Sequence, residues 1–174
     1  MAIRPVTIVR MVKQLVLVRH AHRDTEVRTR DNGLSKKGQA QAKSLVSFLR
    51  QFTDEVPVRA LTSPKLRCQE TLAPIVSKLN VPLEVDLRLS ETGIAETSRQ
   101  VHLRVREFLD EWEYQGEGIW IACSHGDVLP IVSELLWSHP IFLKKAAVMV
   151  IGKDGKNLPE LRWLVQKVAL IAGA

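Results

Sequence analysis

The chain has 174 residues and a mass of 19.6 kDa, the size of one ordinary domain, which excludes a pair of large catalytic domains. With 45% hydrophobic and 25% charged residues it has the composition of a globular protein with a real core, far from the apolar poverty of disordered chains. Lys+Arg exceed Asp+Glu by 25 − 19 = +6 and the pI is near 9.6, which favours negatively charged partners: nucleic acid, anionic lipid or phosphorylated substrates.

Residues 1–12 contain Arg4 and Arg10 but no continuous apolar stretch before a small-residue cleavage site. They are expected to be an N-terminal extension, with Met11 an alternative start, rather than a secretory signal. Gln14–Val18 (QLVLV) then reads as a buried parallel strand that stops at Arg19-His20. From Lys36 to Phe52 the apolar residues Ala42, Leu45, Val46, Leu49 and Phe52 fall on one helical face, with Ser35 as N-cap and Lys36, Lys37 and Lys43 on a solvated face. Val56–Leu61 is a second strand. Ser63-Pro64 is expected to open a second helix with the stripe Leu72, Ile75, Val76 and Leu79, closed by Asn80.

Val81–Val85 is a short third strand, and the polar run Arg88–Thr97, containing Gly93, is a loop. Val101, Val105, Phe108, Leu109 and Trp112 share one face of a third helix, which Gly116 and Gly118 end. Ile119–Cys123 is a buried strand stopping at Ser124-His125-Gly126, with a helix from Asp127 to about Trp137. Ala146–Ile151 and Leu161–Val168 flank an Asp154-Gly155 turn and are expected to pair as an antiparallel hairpin at the sheet edge. The alternation predicts an α/β three-layer sandwich over 1–174: a mostly parallel central sheet, helices on both faces, and an antiparallel edge near the C-terminus. In such folds ligands bind beyond the carboxyl ends of the strands, so His20 and His125 should reach one crevice.

Arg19-His20 places a permanently charged guanidinium fork beside an imidazole able to attack phosphorus. An isolated Arg-His pair is a common surface feature, so the reading depends on further segments. Three more follow the one that holds the pair, in order: LVLVRHAHR (Leu15–Arg23), then LTSPKLRCQET (Leu61–Thr71), LSE (Leu89–Glu91) and CSHG (Cys123–Gly126). Together they resemble the motifs of the histidine phosphatase superfamily, the phosphoglycerate mutase-like fold, over roughly residues 13–150. The resemblance implies that His20 is the nucleophile, that Arg19 and Arg67 clamp phosphate, and that His125 is a further contact to the phosphoryl oxygens. It also implies that Glu91 is the proton donor, with no metal and no cofactor. Asp127 competes with Glu91 for that role, or caps the following helix. Arg23 gives an R-H-x-x-R pattern similar to the acid-phosphatase branch, which makes it a third clamp or a solvated loop arginine. Ala21 stands where the family usually has glycine, and Asn32 shapes the turn into the first helix or approaches substrate.

Cys68 and Cys123 are too few for a disulfide framework and read as small packing residues of a cytoplasmic protein. His22, beside the nucleophile, is a substrate contact or a polar loop residue, whereas His102 and His139 have no motif around them. The apolar stretch Val128–Leu143 is broken by Pro130, Glu134 and Pro140, short of the roughly 20 residues of a membrane helix, so no membrane association is expected. Tyr114 is the sole tyrosine and the basic residues are dispersed, which argues against nucleic acid. Arg67 to Glu91 spans 24 positions (91 − 67) and Glu91 to His125 spans 34 (125 − 91), leaving little chain for a lid. A short capless member, similar to bacterial phosphohistidine phosphatases, would present an open site to a phosphorylated small molecule or a phosphoprotein. Those phosphatases tend to lack a clear acid, so Glu91 tilts the expectation towards phosphomonoester hydrolysis. The alternatives are a phosphate-binding protein without turnover and a phosphomutase. The oligomeric state has no sequence signal.

Overall fold

The structure, a computed structural model, describes residues 13–26, 30–53 and 56–167. The proposed extension over 1–12 and the end of the last predicted strand at Val168 lie outside the described residues. The elements are β1 (Lys13–Arg19), α1 (Lys36–Thr53), β2 (Val58–Thr62), α2 (Leu66–Leu79), β3 (Leu83–Val85), a single-turn 3-10 helix (Leu87–Leu89), α3 (Ser98–Tyr114), β4 (Gly118–Ser124), α4 (Leu129–Trp137), β5 (Val148–Lys153) and β6 (Glu160–Val165).

The six strands form one sheet in the order β3-β2-β4-β1-β5-β6. Strands β1 to β4 run parallel, while β5 is antiparallel to β1 and β6 is antiparallel to β5. This is the three-layer α/β arrangement expected from the sequence, with its antiparallel edge. The uniform apolar character of β1 has a direct cause, because both of its faces are covered: Leu15 and Leu17 join one core with α3 and α4, and Val16 and Val18 join another with α1 and α2. All seven residues of β4 are buried for the same reason.

The helices are held by their predicted stripes. In α1, Ala42, Leu45 and Leu49 are buried, and Ser35 Oγ accepts the Gly38 N–H at 3.2 Å as the expected N-cap. In α3, Val101, Val105, Phe108, Leu109 and Trp112 are all buried, each large side chain contributing roughly 1.5–3 kcal/mol by leaving water. Thr97 and Gln100 form a capping box at its start. Asn80 ends α2 in the left-handed region at φ 53°, where its N–H reaches the last carbonyls.

Several boundaries differ from the sequence reading, and at three elements the difference is largest. Helix α2 begins at Leu66, two residues after Pro64, and the Leu66 N–H is met by the Asp31 carboxylate at 3.2 and 3.3 Å. Ser63, the expected opener, accepts the Lys65 N–H at 3.3 Å just before the helix, and its hydroxyl also meets His125 Nε2 at 2.7 Å. Helix α4 begins at Leu129, with Pro130 in its first turn, because the Asp127 carboxylate accepts the Thr92 N–H at 2.8 Å instead of capping α4. Strand β3 is only three residues, since β2 pairs with it over Ala60–Thr62 alone.

Register fixes where chemistry can occur. Arg19 lies opposite Ser124, and Thr62 lies opposite Cys123, so β1, β4 and β2 end level. Their next residues, His20, His125 and Ser63, therefore emerge together at one edge of the sheet. The His20 N–H donates to the Ser124 carbonyl and the Ser63 N–H to the Cys123 carbonyl, both at 3.0 Å, so the alignment continues past the strands.

Candidate active site

His20 is buried, and its Nδ1 lies 2.8 Å from the Ala21 carbonyl. A carbonyl only accepts, so Nδ1 carries the proton and the lone pair is left on Nε2. Burial is the main cause that pushes the His20 pKa down to about 3; the Ala21 hydrogen bond opposes it, and His125, Arg67 and Arg19 push the same way as burial. The imidazole is thus neutral at physiological pH with one nitrogen free, the state a nucleophile requires. Its backbone is anchored from α2: the Ala21 N–H donates to Thr71 Oγ1 at 2.9 Å, and that hydroxyl donates to the Arg67 carbonyl at 2.6 Å.

The His125 ring stands 5.3 Å from the His20 ring, centroid to centroid, at an interplanar angle of 57°. Arg67 Nη2, a donor, lies 3.3 Å from His125 Nδ1, which must therefore accept; Nε2 then carries the proton and donates to Ser63 Oγ at 2.7 Å. Arg67 is almost wholly buried. It donates from Nη2 to Glu91 Oε2 at 2.7 Å and has the Asp31 carboxylate 3.6 Å from Nη1, while its Nε, buried, lacks a partner. The weak helix pair with Glu70 that its spacing allowed is not formed, because Glu70 accepts the Leu34 N–H instead.

Arg19 Nη1 donates to the Leu143 carbonyl at 2.6 Å, and its buried Nε is also without a partner. Its guanidinium lies so close to Gly126 that a Cβ there would sit 2.5 Å from Arg19 Cζ, which gives the glycine of the S-H-G triplet a steric reason. Two arginines with unpartnered buried Nε groups, both near enough to His20 to act on its charge, form a ready receptor for a tetrahedral oxyanion.

Glu91 is half-exposed at the rim. Asp127 holds the adjoining backbone through Thr92, and although burial pushes its carboxyl up, its hydrogen bonds with Thr92 outweigh this and leave it below the ordinary range. The fold thus brings together His20, His125, Arg19, Arg67 and Glu91, all five named from the motifs. Arg23 pairs through its backbone with Leu34 in an isolated bridge. Asn32 donates to the Asp24 carbonyl at 3.2 Å, in keeping with a turn-shaping role, and His22 Nδ1 lies 2.9 Å from Ser35 Oγ. His102, by contrast, lies on α3 against Ser98.

Cys68 and Cys123 are buried free thiols beneath the site, and Cys68 Sγ is 3.5 Å from His125 Nε2. Burial pushes the Cys68 thiol up, but hydrogen bonds with Cys123 and His125 and the charge of Arg67 outweigh it, leaving a value of about 6. Among the described residues no three His, Cys, Asp or Glu side chains gather as a metal site, and no helix is long and apolar enough to cross a membrane.

Sequence reasoning missed Ser63, Asp31 and the segment from Leu143 to Ala147. The Ser-Pro of the second motif was the signal for Ser63 but read as a helix opening. The Leu143–Ala147 segment acts through its backbone and so leaves no residue-type signal.

Residues 15–96 match the family model of the histidine phosphatase superfamily (branch 1). Several solved structures have the same fold. A candidate alpha-ribazole-5′-P phosphatase of Escherichia coli K-12 superposes with a TM-score of 0.77 at 17% identity, covering 92% of this chain and 100% of that one. The mycobacterial glucosyl-3-phosphoglycerate phosphatase gives 0.69 at 16% identity over 90% of this chain and 100% of that one. A phosphoglycerate mutase from Bacillus anthracis gives 0.70 at 18% identity over 88% and 92%, respectively.

Proposed function

We propose that this chain is a member of the histidine phosphatase superfamily and a phosphatase that hydrolyses phosphomonoesters through a covalent phosphohistidine on His20. The observation that carries the reading is the state of His20: neutral, with Nδ1 committed to the Ala21 carbonyl and Nε2 free beside two arginines. A binding protein without turnover needs the arginines but has no use for an imidazole held in that tautomer.

The reaction has two steps. His20 Nε2 forms a bond to phosphorus as the bond from phosphorus to the leaving oxygen breaks, and that oxygen takes a proton from Glu91. Water then attacks phosphorus, its proton passes to the Glu91 carboxylate, and the nitrogen–phosphorus bond breaks to release phosphate. Arg19 and Arg67 meet the charge that spreads over the equatorial oxygens. In the free protein Glu91 occupies the Arg67 Nη2 position that a phosphoryl oxygen takes in the complex. Binding exchanges one ion pair for another, and the Glu91 carboxylate released from Arg67 takes up a proton from solvent, which it then delivers to the leaving oxygen.

The open site favours hydrolysis over a mutase cycle, which must retain an intermediate away from water. The segment between Glu91 and α3 is short, and Thr92, Gly93, Ile94 and Ala95 are exposed, too little chain to enclose the site. A panel of aryl phosphates, sugar phosphates, nucleotides, phosphoamino acids and a phosphohistidine protein, with His20→Ala as the blank, tests the reading. Release of phosphate by the wild type and not by the variant is expected. No release from any member supports the binding-protein alternative, and equal release by both chains overturns the role of His20.

A further inference from the structure

Beneath the catalytic residues lie two groups that the reaction leaves unused, the thiols of Cys68 and Cys123. Cys68 is the third residue of α2, directly after Arg67, and Cys123 is the next-to-last residue of β4, two positions before His125. Both side chains belong to the core that the sheet forms with α1 and α2, so they meet where α2 packs on β4. The two sulfurs share a hydrogen bond, and Cys123 makes another with Thr71, one turn further along α2. Cys68 Sγ also lies 3.8 Å from the Ser124 carbonyl oxygen and 3.5 Å from His125 Nε2. Neither residue is exposed, and both are free thiols.

The two thiols are unlike. Cys68 stands in the first turn of a helix, beside a buried guanidinium and an imidazole, surroundings that stabilise a thiolate. Cys123 is pushed up, first by burial and then by Cys68, and so keeps its proton. A thiolate in hydrogen-bond contact with a protonated thiol is the arrangement in which one sulfur is oxidised and the other resolves it. Small packing, the role read from the sequence, gives no reason for this asymmetry.

We propose that Cys68 and Cys123 form a hydroperoxide-sensitive pair whose disulfide disables the site by drawing Arg67 out of place. The loss of turnover rests on the phosphatase reading above; the bond itself does not. The Cys68 thiolate attacks one oxygen of hydrogen peroxide, the oxygen–oxygen bond breaks, and the second oxygen leaves as hydroxide, which solvent protonates. Cys123 then attacks the Cys68 sulfur: the sulfur–sulfur bond forms, the sulfur–oxygen bond breaks, and the departing hydroxyl takes the Cys123 proton and leaves as water. Two thiols are oxidised and one peroxide is reduced to water. With both sulfurs closed to solvent, the oxidant must be close to water in size. A disulfide holds its sulfurs about 2.05 Å apart, well inside hydrogen-bond distance. Strand β4 is paired on both sides, with β1 and β2, so the first turn of α2 is the part that moves. That turn carries Arg67, which meets Glu91 and His125, and it leads into Thr71, whose hydroxyl holds the Ala21 N–H behind the nucleophile.

The test treats the full chain with hydrogen peroxide, quenches with catalase, and follows unreduced peptide mapping, hydrolysis of an aryl phosphate and calorimetric binding of inorganic phosphate. A peptide joining Cys68 to Cys123 is expected, with kcat/KM lowered on the order of a hundredfold, as a displacement of about 1 Å would cause. Phosphate binding should weaken in step, and dithiothreitol should restore all three. Cys68→Ala should hydrolyse like the untreated wild type and keep its activity in peroxide. Cys123→Ala should form no joined peptide and carry dimedone, a sulfenic-acid trap, on Cys68. No joined peptide in the wild type, a joined peptide with turnover and phosphate binding intact, or inactivation that persists in Cys68→Ala overturns the proposal. A joined peptide that weakens phosphate binding in a chain without hydrolysis would uphold the pair and refute the phosphatase reading; hydrolysis that peroxide leaves untouched would do the reverse.

Discussion

If the fold holds His20 neutral, acid should weaken the fold through that one residue. The folded imidazole titrates at about 3 against an ordinary value of 6.5. Above pH 6.5 the ring is neutral in both folded and unfolded chains and contributes nothing. As pH falls below 6.5 the unfolded chain gains a proton that the folded chain refuses, so stability is lost down to about pH 3. The full gap of 6.5 − 3 = 3.5 pH units corresponds to about 5 kcal/mol, and at pH 5 roughly 2 kcal/mol of it is already lost. His20→Asn isolates this contribution, because an amide can still donate towards the Ala21 carbonyl yet does not titrate. Urea unfolding of both chains at pH 7.5 and pH 5 should show the wild type losing about 2 kcal/mol more than the variant over that interval. Parallel losses would refute the reasoning, since His20 would then titrate alike in the folded and unfolded states.

Three substitutions separate the roles of the surrounding residues. Glu91→Gln is expected to lower kcat by roughly 10²- to 10⁴-fold on alkyl phosphates and far less on aryl phosphates, whose leaving groups need no proton; an equal loss on both series would argue against a general acid. Asp127→Ala should instead reduce both series alike and more modestly, because it loosens the Thr92 anchor rather than removing a proton donor; a loss graded by leaving group would make Asp127 the acid. Gly126→Ala places a Cβ 2.5 Å from Arg19 Cζ and should cost at least about tenfold in kcat/KM with an unchanged circular dichroism spectrum, because the guanidinium is displaced while the strand is not.

The parts of the fold legible in the sequence were those where burial acts on residue type. Continuous apolar runs marked β1 and β4 because both sheet faces are covered, and the stripe of α3 appeared residue for residue. The motif residues could be assigned to one crevice because parallel strands end at one edge. What escaped were decisions made by competition for hydrogen bonds. Ser63 reads only as a helix opener, yet its hydroxyl is shared between the Lys65 N–H and His125, and Asp127 reads as a cap until Thr92 claims its carboxylate. The backbone grip of Leu143–Ala147 on Arg19 and His20 involves atoms that every residue has, so no pattern of side chains announced it.

The central claim is a phosphoryl group carried by His20. A wild-type chain mixed with an aryl phosphate and quenched in alkali within the first turnovers should yield a peptide of residues around His20 heavier by one phosphoryl group. That mass should be lost in acid, as a phosphoramidate requires, and absent from His20→Ala. Turnover with no phosphorylated peptide, or with the label on any other residue, would contradict the account.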